Sequence, residues 1–476
     1  MIRFIDRVPE NFAAIRRREW LRIAAGSLLG GLGARAESLR STGFPGLARA
    51  KSVIVVFANG GQSQFETFDP KPDAPEQIRG EFGSIATSVP GLRFTEHLPR
   101  LARLANRFTV LRAVSHDDLD HGSATYLTLT GRFHTQKSAN PAPSPTDFPT
   151  LGAVLERVRP SRTLPYTAIH VNGPAIVPEL PAPGQNGGFL GREYEPLLVG
   201  DPTSGDTPLP DLSPSDGGSL DRRATRRRLL EVLDRRAERT EFDHRLRDLD
   251  EIYRQAYALL EAPRIRDAFR IGDEPDAIRD RYGRHRPGQA CLLARRLAEA
   301  EVPLITVMWN HSGRGQDTRP DDAEAYGWDT HNDIFGVMRE RLLPRFDLSL
   351  SALIEDLDAR GLLEQTLVVV MGEFGRAPRV ALEPKFAGAS PGRKHWANVY
   401  SILMMGAGVE RGGVYGASDE IGAYPKEGRV APWDVAATIF AALGIDPESE
   451  YRDAIDRPFL ATLGRPISAI YRGGTP

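Results

Sequence analysis

The 476-residue chain contains a single cysteine, Cys291. One thiol excludes an internal disulfide framework, and it excludes a zinc site built from thiolates. Charge of one sign is equally scarce. With 61 Lys and Arg against 63 Asp and Glu the formal net charge is −2. A nucleic-acid partner would be marked by a basic surplus or stripe, so none is expected. Long apolar runs are missing too. Beyond the N-terminal region no segment reaches the roughly 18 consecutive apolar residues that a membrane span needs, and no later transmembrane helix is expected. What remains is the composition of a soluble globular protein, 41% hydrophobic and 26% charged. The length suits one large domain or two ordinary ones.

The N-terminus reads as an address. Residues 16–36, "RRREWLRIAAGSLLGGLGARA", place Arg17 and Arg18 ahead of an uncharged run rich in Gly and Ala. They end in Ala34-Arg35-Ala36, a small-x-small cleavage site. The pattern resembles a bacterial twin-arginine export signal over residues 1–36. It implies a periplasmic or secreted protein whose cofactor is acquired before export. Residues 37–476 then form a single domain. Gly200 to Ser219 reads as a linker, and Arg222 to Ala262 as charged helices, so a solvated helical insertion is expected at about 200–285.

Along the domain, helical patterns alternate with short apolar runs. Ser52 to Ala58 reads as a buried strand entering the loop Asn59-Gly60-Gly61. "FTVLRAV", "YTAIHV", "PLITVMWN", "TLVVVMG" and "NVYSILMMGAGV" are further strands, with helices between them. This alternation argues for a mostly parallel sheet covered on both faces, a three-layer α/β/α sandwich. In such sheets the ligand site lies beyond the carboxyl ends of the strands. His116, Asp120, His121, Asp329, His331, Glu373 and His395 all fall there. Carboxylates and imidazoles in one place suit a divalent metal such as zinc or manganese. Each fragment alone has a plainer reading. Asp329-x-His331 in "GWDTHNDIF" fits a solvated turn, Glu373 a helix N-cap, His395 an interfacial histidine, and the nearby aromatics packing. Their coincidence at strand ends favours a composite metal site.

Several segments, in order, carry a resemblance: "VVFANGGQSQFETFDPKPDAPEQIRG", "HGSATYLTLTGR", "GWDTH", "LVVVMGEFGR", "GRKHW" and "GGVYGASDE". From about Lys51 to Phe459 the chain is identified as a member of a bacterial domain-of-unknown-function family, number fifteen hundred and one. That family is placed in the alkaline phosphatase and sulfatase superfamily. The resemblance implies an alkaline phosphatase-like sandwich with one or two divalent ions (zinc, manganese or calcium) and a nucleophile opening a helix. It implies Glu373 at the metal-binding acid, Asp329 and His331 at the other metal position, and His395 as the late metal-binding histidine. Asn59 stands where an aspartate usually binds metal, with Glu66 or Ser63 as substitutes from the same loop and Asp120 as a further candidate ligand.

Two departures alter the implied chemistry. Phe374 replaces a metal-binding histidine, and His121 falls on the nucleophile position, where a formylglycine sulfatase needs Cys or Ser. Formylglycine chemistry is therefore excluded. Ser123 and Thr125 lie on the same turn but are displaced from the nucleophile position. The expectation is a metal-dependent hydrolase of phosphate or sulfate esters, on a small-molecule or glycan substrate. His121 would act as acid or base, Ser123 is an alternative nucleophile, and Arg132, Arg376 or Arg393 would clamp an anion. The alternative is a catalytically degenerate, metal-containing binding protein for anionic glycans or the cell surface.

Overall fold

The computed structural model describes residues 44–161, 164–177, 180–203, 262–310 and 327–472. The expected export signal and most of the expected linker and charged helical insertion lie outside the described residues. Eight strands form the central sheet: β1 Ser52–Phe57, β2 Thr109–Val114, β3 Ala168–Val171, β4 Leu197–Val199, β5 Leu304–Met308, β6 Thr366–Met371, β7 Tyr400–Met405 and β8 Val414–Tyr415. Their spatial order is β8-β2-β7-β6-β1-β5-β3-β4. The central strand β1 runs parallel to both neighbours, with Val53 opposite Leu304 on β5 and Leu367 on β6.

One strand reverses. β7 is antiparallel to β2 and β6, with Tyr400 at its start facing Val114 at the end of β2. The chain therefore enters β7 at the same edge where the other strands finish. Residues that precede β7 in sequence are delivered to the carboxyl edge of the sheet, beside residues that follow β1, β2, β5 and β6.

The helices that matter are α1 His121–Thr130, α2 Leu151–Val158, α3 Arg286–Glu299, α4 Leu343–Ala359 and α5 Pro432–Ala442. Strand alternation divides the core between the two faces of the sheet. Ile54 and Val56 of β1, with Val368 and Val370 of β6, pack with Leu293 and Leu297 of α3 and Leu350 and Leu353 of α4. Val53, Val55, Leu367 and Val369 face the other way, into a core with Val154 of α2 and Val435 and Ile439 of α5. The result is the expected three-layer sandwich. Among the described residues no helix is long and apolar enough to cross a membrane.

Helix α1 is buried along its whole length although half its residues are polar. Two of its hydroxyls are satisfied within the helix: Thr128 Oγ1 donates to the Ala124 carbonyl at 2.9 Å and Thr130 Oγ1 to that of Tyr126 at 2.7 Å. Gly131, at φ 69°, ends the helix in the left-handed conformation. Burial on all sides fixes the direction in which the first residue, His121, points.

Candidate metal centre

Asp329, His331, His121, Glu373 and His395 converge at the carboxyl edge of the sheet. Asp329 is the hub. Its Oδ2 lies 3.2 Å from His121 Nε2, and its Oδ1 lies 3.1 Å from His331 Nε2 and 3.2 Å from His395 Nε2. Donor atoms of His121, Asp329 and His395 all fall within 4.8 Å of one another.

The tautomers follow from the outer partners, because a carboxylate or a carbonyl can only accept. His121 Nδ1 donates to Glu373 Oε1 at 2.6 Å, and His395 Nδ1 donates to the Leu119 carbonyl at 2.7 Å. In each neutral imidazole Nε2 is left with a lone pair turned toward Asp329. His121 Nε2 is buried without a hydrogen-bond partner. The His331 and His395 Nε2 atoms stand 2.9 Å apart, while His331 Nδ1 is buried without a partner. Lone pairs aimed at a carboxylate repel it unless a cation lies between them. Two imidazole nitrogens and a carboxylate are also the donor set that borderline divalent ions prefer. The residues present therefore fit a divalent cation.

Without the metal a proton must serve as that cation. Burial alone would lower the His121 pKa, but the flanking Asp329 and Glu373 carboxylates outweigh it and push the ring up to about 9. Burial would raise Asp329, yet His121 and Arg376 hold it well below the usual carboxylate range. His395 is lowered to about 4 by burial and by the charge on His121. His331 is also lowered, again chiefly by burial.

The surrounding chain fixes these groups. Gly60 N donates to both oxygens of Glu373, at 2.9 and 3.2 Å. Gly61 sits at φ 74°, and a Cβ there would lie 2.5 Å from the Phe374 ring, which accounts for the Gly-Gly pair at the end of β1. Arg376 is fully buried. It donates to Asp329 Oδ1 at 2.8 Å, to the Gly61 carbonyl at 2.8 Å and to the Trp328 carbonyl at 3.0 Å. It also bonds the Gly60 carbonyl. A short antiparallel ladder pairs Gly375 and Arg376 with Trp396 and His395, drawing the His395 loop to the end of β6. Glu373 thus leads into a strand ladder and does not cap a helix.

Other expected residues take different places. Glu66 is committed to Arg393, with Oε1 to Nη2 at 2.8 Å, and accepts from Ser63 Oγ. Both members of that pair are buried, so Glu66 is withdrawn from the cluster and Arg393 from any anion-clamping role. Asp120 caps α1, its Oδ1 accepting from His121 N at 2.9 Å and from Asn140 Nδ2 at 2.6 Å. The Asn59 carbonyl accepts from Trp328 N at 3.1 Å, and its buried Oδ1 has no partner. Ser123 Oγ donates to Asp118 Oδ1 at 2.6 Å and accepts from Ala139 N at 3.1 Å, so this hydroxyl is not directed at the cluster. Arg132 lies at the far end of α1, about 15 Å along the helix from His121. There it caps the Leu460 carbonyl and stacks on Phe148, which removes it from the chemistry.

Sequence reasoning sees Asp333 in the alternation Asp329, His331, Asp333 without giving it a role, and passes over Asn332 and Phe386. Phe386 stacks on His331 with ring centroids 3.7 Å apart and planes 4° apart. The signal for Asn332 and Asp333 was visible in "THND", two polar residues directly after a ligand candidate. Phe386 had none, since nothing local ties it to His331.

Residues 50–471 match the model of a family described as "Protein of unknown function (DUF1501)". Solved structures similar to this chain include the PsFucS1 sulfatase from Pseudoalteromonas sp., at 12% identity over 90% of this chain and 72% of that one, TM-score 0.39. The phosphonate monoester hydrolase SpPMH from Silicibacter pomeroyi matches at 12% identity over 90% and 77%, TM-score 0.39. The lipoteichoic acid synthase LtaP from Listeria monocytogenes matches at 12% identity over 84% and 74%, TM-score 0.36. At these identities and scores nothing about substrate or mechanism transfers from them. No functionally curated protein matches the sequence.

Proposed function

The chain belongs to the protein family of unknown function DUF1501, and we propose that within it this protein is an exported, metal-dependent hydrolase of phosphate or sulfate esters. The observation that carries the reading is the convergence of His121, Asp329 and His395 donors within 4.8 Å at the carboxyl edge of the sheet. Export rests on the Arg17-Arg18 signal alone.

His121, Asp329 and His395 would hold the ion, with His331 beside them. When bound, such an ion polarises an ester oxygen and lowers the pKa of a coordinated water. Three protein donors would leave a coordination position free, as hydrolytic sites require. Glu373 fixes the His121 tautomer and ring orientation, the carboxylate–histidine arrangement that supports metal ligands elsewhere. Arg376 holds Asp329 against the loop after β1. Side-chain exposure is 16% for Asp329 and 18% for His395, against 6% for His121 and none for Glu373, so substrate approaches from the Asp329–His395 side. With its Nδ1 on Glu373 and its Nε2 facing Asp329, His121 is a metal donor and not the acid or base. With Ser123 bonded to Asp118, attack by water is favoured over a seryl intermediate.

The test is elemental analysis of the purified protein and of Asp329→Asn, followed by turnover of aryl phosphates and sulfates. Stoichiometric metal in the native protein, lost together with turnover in the variant, supports the reading. Full hydrolysis by a metal-free variant sinks it. One observation favours a second reading. Ser123 is bonded to Asp118 and supplies no free nucleophile, as in a metal-containing protein that binds anionic glycans without cleaving them. Binding of a sulfated polysaccharide by metal-loaded protein without cleavage would decide for it.

A further inference from the structure

Residues 381–392 form a loop closed at its neck by paired backbone bonds between Ala381 and Gly392, at 3.0 and 3.1 Å. The segment that carries Asp329 and His331 holds this loop in place. Asn332, fully buried, donates to the carbonyls of Glu383, Phe386 and Ala387 at 3.0, 3.1 and 3.1 Å, and accepts from Glu383 N at 2.8 Å. Asp333 accepts from the Ser390 amide and hydroxyl, each at 2.6 Å, and from Ala389 N at 3.1 Å. Asp333 adopts φ 53° to do so, a conformation unfavourable for a residue with a side chain. Two side chains adjacent to a metal-site histidine are therefore spent on positioning one loop.

That loop presents Phe386. One face of its ring covers His331, and the residue as a whole remains 42% exposed. Leu119, whose carbonyl anchors His395, is 44% exposed. A large apolar side chain thus stands on one imidazole, and an exposed leucine lies on the segment whose carbonyl anchors the other. Of the nearby cations, Arg376 and Arg393 are buried in ion pairs and Lys394 pairs with Glu383 at 3.1 Å, while Lys385 beside Phe386 is exposed.

Building on the hydrolase reading, we propose that Phe386 is a specificity-determining platform, selecting esters whose non-reacting part is a six-membered ring with an apolar face, aryl or sugar. The ring would lie on the exposed face of Phe386 while the ester group reaches the Asp329–His395 edge. Stacking of this kind discriminates ring from ringless ligands by roughly five- to tenfold. A purely structural Phe386, present only to orient His331, would give no such discrimination.

The experiment measures binding to the metal-loaded protein by calorimetry in two pairs: phenylphosphonate against methylphosphonate, and glucose 6-sulfate against ethyl sulfate. The expected result is a five- to tenfold preference for the ring in at least one pair. That ratio is kept in Phe386→Trp and falls toward one in Phe386→Ala. The pair that shows it identifies an aryl or a sugar substrate. Ratios near one in both pairs of a native protein that holds metal, or a ratio undiminished in Phe386→Ala, overturn the inference and leave the hydrolase reading standing. A native protein that takes up no metal overturns the hydrolase reading and this inference with it.

Discussion

The carboxylate of Glu373 and the imidazole of His121 meet at 2.6 Å across 252 residues of chain. The contact joins the end of β6 to the first turn of α1 and faces His121 Nε2 toward Asp329. It also makes Glu373 the most informative residue to change. Two backbone bonds from Gly60 show that this acid is held as an acceptor.

Replacing Glu373 with Gln keeps the shape of the side chain and removes its charge. The His121 ring becomes less basic and its tautomer less firmly fixed. Loss of a partner of this kind weakens metal affinity by about 10- to 100-fold. Competition against a chromogenic chelator measures it. An affinity equal to that of the native protein would mean that Glu373 does not act through His121.

Glu66 separates structural from ligand roles. It is buried against a fully buried Arg393, and breaking such a pair from one side costs about 3–5 kcal/mol. Glu66→Gln should lower stability toward denaturant by that order while the folded variant retains its full metal content. Metal loss at preserved stability would return Glu66 to the ligand set.

Ser123 tests the nucleophile. Its hydroxyl bridges Asp118 and Ala139 N, and Asp118 is fully buried with Oδ2 lacking a partner. Ser123→Ala should cost about 1–3 kcal/mol by stripping a donor from a buried carboxylate. Turnover per bound metal should persist. If it is abolished while metal is retained, a seryl intermediate replaces attack by water.

Much of this arrangement was legible in the chain. The apolar β-branched runs and their intervening helices located the strands, and the strand-end rule picked out Asp329, His331, Glu373, His395 and His121. Less legible were the features set by long-range pairing. Nothing in "NVYSILMMGAGV" announces that β7 runs antiparallel, yet that reversal is what brings His395 to the site from the N-terminal side of its strand. Arg376 and Arg393 look like anion clamps in sequence because a partner 47 or 327 residues away cannot be read locally. Glu66 is a case of the same kind, whereas Asp120 caps the amide of its own neighbour His121. An acid near a metal motif has the same local signature whether it faces an ion, an arginine or a helix amide. Ser123 next to the nucleophile position is a matching case, settled by a hydrogen bond to Asp118 that spacing alone leaves open.

Two histidines outside the cluster make their own contribution to the dependence of stability on pH. Burial lowers His170, on β3, to about 4. His285 is lowered to about 4 by burial and by Arg345, and its Nδ1 accepts from Gly288 N at the start of α3. Both rings are neutral when folded and titrate near 6.5 when unfolded. Between pH 6.5 and about 4 the unfolded chain therefore binds more protons, so stability is fully present above 6.5 and falls as the pH drops through that window. For His170, which is fully enclosed, the loss approaches about 3 kcal/mol at the lower limit. Urea denaturation of the native protein and of His170→Leu at pH 7.5, 6.0, 5.0 and 4.5 should show midpoints whose difference shifts below pH 6.5, as the native protein loses the share that His170 contributes. His170→Leu removes one of the contributing groups while the others titrate as before, so the difference between the two curves isolates this histidine. A variant whose midpoint declines as steeply as that of the native protein would show that His170 is accessible to protons in the folded state.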